Sequence, residues 1–124
     1  MEDTNYVYIL RSGNSNNFKI GVSKNIEKRI KQFQTGSPYK ISTYCYFEAP
    51  TRQQAFNCEY NLHKFFDSHK TDLMWGEWYR ISKKELEQLT KCQTTIDVMY
   101  WLINTGWKER KSKKENKSKF LENW

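Results

Sequence analysis

The chain has 124 residues, room for one domain with a modest core. Only 37% of it is apolar while 16% is aromatic, so Tyr, Trp and Phe must supply much of the buried area. Its formal net charge of +7 favours polyanions such as nucleic acid as partners. The three cysteines (Cys45, Cys58, Cys92) have no CxxC spacing, which argues against a disulfide framework or zinc site. No basic apolar leader and no run near ~18 apolar residues is present, so an intracellular, reducing location and no membrane span are expected.

In chain order, "NYVYILRS" (5–12) is β-branched and aromatic and predicts a strand; "GNSNN" (13–17) is a turn cluster; "FKIGVS" (18–23) predicts a second strand, closing an antiparallel hairpin. A helix is expected over 24–34, with Ser23 as N-cap and Ile26, Ile30 and Phe33 on one face; Gly36 and Pro38 stop it. "YKISTYCYFE" (39–48) predicts a third strand. A second helix opens at Thr51, where "TRQQ" resembles a capping box, and is expected to reach about residue 67. "EWYRIS" (77–82) reads as a short extended piece, "SKKELEQL" (82–89) as a helix with Ser82 and Glu85 forming a capping box, and "TIDVMYWLIN" (95–104) as a helix ended by Gly106.

The expected fold is therefore α/β (α+β): a small three-stranded antiparallel sheet flanked by helices, a domain over 1–107, and a basic tail over 108–124. "KERKSKKENKSK" (108–119) holds seven Lys/Arg against two Glu and has no apolar period, which predicts disorder when free. Lys108, Arg110, Lys111, Lys113 and Lys114 belong either to a solvated terminus or to an arm that contacts phosphates.

Several residues sit where plain packing does not want them. Glu59 falls on the apolar stripe formed by Ala55, Cys58, Leu62, Phe65 and Phe66. A carboxylate there costs several kcal/mol unless it is paired, protonated or metal-bound. His63, one turn on at the edge of the same face, is either a capped or packed histidine or a ligand; His69 reads as a loop residue. Arg29 lies at the edge of the first helix's apolar face and either snorkels or is held for bidentate phosphate contact, whereas Lys24, Lys28 and Lys31 point away. Tyr6 and Tyr8 share one face of the first strand. Lys19 points away from Phe18 and Ile20, and Gly21 permits a close approach of backbone or ligand.

These residues together resemble the GIY-YIG nuclease superfamily. "YVY" (6–8) stands for GIY, "KIG" (19–21) for YIG, Arg29 for the arginine of the first helix and Glu59 for the glutamate of a later one. The chain is most similar to a branch common in phages and large DNA viruses and often labelled a DNA-binding domain. That branch carries the KIG variant, "R…Q.QTG.P" (Arg29, Gln32, Gln34, Thr35, Gly36, Pro38), "E…LH..F" (Glu59, Leu62, His63, Phe66) and "GEW" plus an aromatic (Gly76, Glu77, Trp78, Tyr79). The likeness covers residues 5–82. It departs from the superfamily pattern at Tyr6, in place of a glycine, and at Lys19, in place of a tyrosine.

The resemblance implies a metal-dependent DNA endonuclease that cuts one strand per site. Glu59 would hold one Mg²⁺ or Mn²⁺, Tyr8 would act as general base or orient the water, Arg29 would brace the phosphate, and Lys19 would add a second positive contact. His63 would relay a proton, with Glu77 and Trp78 completing the wall. A DNA-binding module with little or no activity, and a protein-interaction domain built on exposed aromatics, are the other two readings.

Overall fold

A computed structural model describes residues 4–69 and 78–110. Its sheet has strands β1 (Asn5–Ser12), β2 (Asn17–Ser23), β3 (Ile41–Ala49) and β4 (Tyr79–Arg80), with helices α1 (Ile26–Gln34), α2 (Arg52–Phe65), α3 (Lys83–Leu86) and α4 (Thr95–Asn104). Neighbouring strands run antiparallel in the order β3-β1-β2-β4. The sheet thus has four strands where the sequence suggested three. The extended piece before Ser82 becomes an edge strand because Asn17 and Phe18 pair with Arg80 and Tyr79. A two-residue strand carries too little periodicity to be read from sequence.

Side chains alternate across β1, and both of its faces are covered. Val7 and Ile9 join Phe18, Ile20, Phe47, Ala55, Cys58, Leu62, Phe66, Val98 and Leu102 in the main core under α2 and α4. Tyr8 and Leu10 point the other way, where Ile41, Trp78 and the α1 stripe Ile26, Ile30 and Phe33 make a smaller core. The stripe of α1 is the expected one, but its cap is Asn25, whose side chain accepts from the Lys28 amide, rather than Ser23. Ser23 instead bonds the Asn25 backbone and shapes the entry turn.

Thr51 caps α2 as expected, accepting from the Gln54 amide. Both capping boxes further on, Ser82 with Glu85 and Thr94 with Asp97, are complete. Gly106 ends α4 at φ +95°, a conformation that L side chains rarely adopt. His69 is not a loop residue: it closes a 3-10 turn (Asp67–His69) and its Nε2 lies 2.8 Å from Glu85 Oε1. The three cysteines are free thiols, and burial, with Cys92 adding to it, pushes the Cys45 thiol up to about 12. No helix among the described residues is long and apolar enough to cross a membrane.

Candidate active site

The β1–β2 register sets the site. Tyr8 stands opposite Gly21 and Leu10 opposite Lys19, so all four residues share the face that α1 packs on. Tyr8 is buried, and a Cβ at position 21 would overlap its hydroxyl and ring. The tyrosine thus lies across β2 in the space a side chain at 21 would fill. The clearance expected at Gly21 is taken by Tyr8 itself.

Arg29 reaches the same place from α1. Its guanidinium carbon sits 4.8 Å from the centre of the Phe33 ring, and Nη1 donates to Gln32 Oε1 at 2.8 Å. A further hydrogen bond joins it to the Tyr8 side chain. Its Nε is buried and has no hydrogen-bond partner. A buried, unmatched donor on a guanidinium costs free energy that an anion would recover. Lys19 Nζ lies 4.9 Å from the same Phe33 ring and 5.7 Å from the Trp78 ring. Two cations braced on one aromatic ring repel each other, and cation–π attraction offsets part of that cost.

Burial raises the Tyr8 hydroxyl above its ordinary value. The Arg29 hydrogen bond and charge pull it down and the Glu59 carboxylate pushes it up, for a net rise. Tyr8 is therefore a phenol at neutral pH. Glu59 is itself buried on α2, and His63 Nε2 lies 3.5 Å from its Oε2. On its other side, His63 Nδ1 is 2.6 Å from the Tyr79 hydroxyl, and the two rings pack at 5.4 Å. The fourth strand thus fixes the histidine's orientation.

The structure brings Tyr8, Lys19, Gly21, Arg29 and Trp78 together on the α1 face of β1–β2. Glu59 and His63 pair with each other on α2, and the Glu59 charge acts on Tyr8. Tyr6 lies on the same sheet face, two residues along β1 from Tyr8. Gly76, Glu77, Lys111, Lys113 and Lys114 lie outside the described residues. Arg110 is not at this site. Its backbone N–H donates to Asn61 Oδ1 at 2.8 Å, and its guanidinium stacks on Trp107 at 4.6 Å. Asn61 is two residues from Glu59 and from His63, hence about 200° around α2 from each, on the opposite flank. Lys108 belongs to the same segment.

Three contributors went unread in the sequence: Gln32 as the clamp on Arg29, Phe33 as the ring shared by two cations, and Tyr79 as the partner of His63. Gln32 and Tyr79 stand in the quoted motifs, and their positions there were the available signal.

Among the described residues no group of three or more His, Cys, Asp or Glu could hold a metal ion. The donor on offer is one buried carboxylate, Glu59, beside a phenol. That fits Mg²⁺ or Mn²⁺ completed by waters and substrate phosphate, and does not fit a cage built from protein ligands alone.

A small antiparallel sheet flanked by helices, with Tyr8, Gly21, Arg29 and Glu59 following in chain order, is consistent with a GIY-YIG-like fold. Residues 5–94 match the family model of the T5orf172 domain, and the chain belongs to that family. The T5orf172 domain has a GIY-YIG-like fold of the kind associated with homing endonucleases, consistent with a nuclease-like or DNA-binding module. No curated protein and no solved structure matches the chain.

Proposed function

We propose that this chain is a metal-dependent endonuclease that hydrolyses DNA phosphodiester bonds, one metal and one strand per site, of the KIG variant. The observation that carries the reading is the convergence of Arg29 and Lys19 on Phe33, with a buried Arg29 donor unmatched, beside Tyr8 and Glu59. Arg29 holds the scissile phosphate in a two-donor contact, and Lys19 adds a second charge. Glu59 would hold Mg²⁺ or Mn²⁺, which when bound supplies charge neutralisation at the phosphate and a more acidic water.

Tyr8, kept neutral by burial, orients the attacking water by hydrogen bonding rather than by removing its proton. His63 is the better proton acceptor. Its ring nitrogens lie between the Tyr79 hydroxyl and the Glu59 carboxylate, a position from which it would relay a proton.

The test is nicking of supercoiled plasmid in Mg²⁺ or Mn²⁺. Wild type should nick, and Glu59→Ala should lose at least about 100-fold. Equal nicking by the two proteins would sink the nuclease reading. A DNA-binding module without activity is the second reading, favoured by the raised Tyr8 hydroxyl and by Lys19 in place of a tyrosine. It predicts salt-dependent DNA binding and no nicking from either protein.

A further inference from the structure

The α1 face of the sheet is only partly covered. Leu10, Ile41 and Tyr8 lie under α1, but further along the same face Tyr46 is 49% exposed and Tyr6 half-buried. Tyr46 stands directly across from Tyr8 in the β1–β3 register, and its ring lies 5.6 Å from that of Tyr6 at a tilt of 39°. Two adjoining tyrosine rings on an open sheet face continue directly from Tyr8, the hydroxyl of which bonds Arg29.

From this we infer that Tyr6 and Tyr46 form a stacking platform for an unpaired nucleobase, so the site takes strands with exposed bases, single-stranded or branched, in preference to intact duplex. The inference rests on the nucleic-acid reading above and names its substrate class. Every base presents a π-face to an aromatic ring, and such stacking is tolerant of sequence. A base paired within a duplex has its faces covered by its neighbours and cannot use the platform. Tyr6 precedes Tyr8 by two residues, about 6.6 Å along β1, and Tyr46 stands directly across from Tyr8, so a base on the platform lies next to the Tyr8 end of the site. Among the described residues, the cations on this sheet face are Lys19 and Arg29, which leaves the strand's phosphates on the Phe33 side of the platform. Tyr6 stands where the superfamily pattern has glycine, which has no ring to offer.

The experiment is equilibrium binding of the full chain, in EDTA so that no strand is cut, to one labelled oligonucleotide as a single strand and as a blunt duplex. Wild type should prefer the single strand. Tyr46→Ala, at an exposed position, should weaken single-strand binding about five- to hundredfold and leave duplex binding within about twofold, while Tyr46→Phe keeps the preference because the ring and not the hydroxyl stacks. Equal loss on both forms, no loss on either, or a Phe variant as weak as Ala would overturn the platform. So would absence of binding to either form.

Arg29→Ala separates this from the phosphate site. If it weakens both forms while Tyr46→Ala is silent, the platform falls and the phosphate site stands. If Tyr46→Ala acts only on the single strand while Arg29→Ala is silent, the platform stands and the phosphate site falls.

Discussion

At position 21 backbone and side chain compete for one volume. Tyr8 fills the space above Gly21, so Gly21→Ala must push the tyrosine out or bend β2. Overpacking of this kind costs about 1–3 kcal/mol. Urea denaturation should show that loss, and Tyr8→Phe in the same background should recover part of it by removing the overlapping hydroxyl. Arg29 makes a second demand at this scale. Its contacts to Gln32, Tyr8 and Phe33 use a planar guanidinium, and an ammonium reproduces neither the fork nor the stack. Arg29→Lys should therefore weaken DNA binding by about tenfold or more, read by titration at fixed salt. These roles differ in how well the sequence displayed them. Glu59 announced itself as a carboxylate on an apolar stripe, and its burial agrees with that. Gln32 and Tyr79 did not, because a glutamine on a helix surface and a tyrosine in a strand need no special explanation until their partners are seen.

The elements owe their ends to short polar devices that titrate. Asp97 closes the α4 capping box. The Gln93 and Thr94 backbone N–H groups, bonded to its carboxylate, hold it below its ordinary 3.8. At Glu85 burial pushes the carboxyl up, but hydrogen bonds from the Ser82 backbone and hydroxyl and from His69 outweigh it, for a net fall below 4.5. A depressed carboxylate contributes stability above its unfolded pKa and loses it as pH falls through the folded value. The chain should thus lose thermal stability below about pH 4.5, and the double variant Glu85→Gln, Asp97→Asn should show a shallower fall of Tm between pH 5 and 2. Unchanged acid slopes would show that these caps do not titrate with folding. Periodicity and capping signals located all four helices. They missed the shift of the first cap from Ser23 to Asn25, since both residues are good caps and only the turn geometry chooses. They read 77–82 as extended but did not place it in the sheet, because its pairing to Asn17 and Phe18 is a long-range contact.

Across the whole molecule, one sheet separates a core under α2 and α4 from a smaller cluster under α1. Glu59 and His63 lie on one flank of α2. On the other, Asn61, wholly buried, accepts from Trp107 Nε1 at 2.9 Å and from the Arg110 N–H at 2.8 Å, and donates to the Arg110 carbonyl at 2.9 Å. Asn57 adds a bond to Glu109 at 2.7 Å. Residues 107–110 therefore pack on α2, which charge composition could not show because Lys108 and Arg110 read as part of a basic tail. This decides how an arm of basic residues should be tested. Truncation after Trp107 removes the partners of Asn61 and Asn57 together with charge, so any loss of binding would mix the two. Truncation after Arg110 keeps those bonds and removes Lys111, Lys113, Lys114, Lys117 and Lys119. If these neutralise phosphates, the slope of log K against log salt on duplex DNA should flatten by about 0.9 for each phosphate they release, with melting temperature unchanged. Asn61→Ala, with the tail intact, should do the reverse: destabilise by about 1–3 kcal/mol and leave the salt slope alone. A shortened chain with the wild-type slope would assign the basic segment to solvent, and DNA affinity would then rest on the face that carries Lys19 and Arg29.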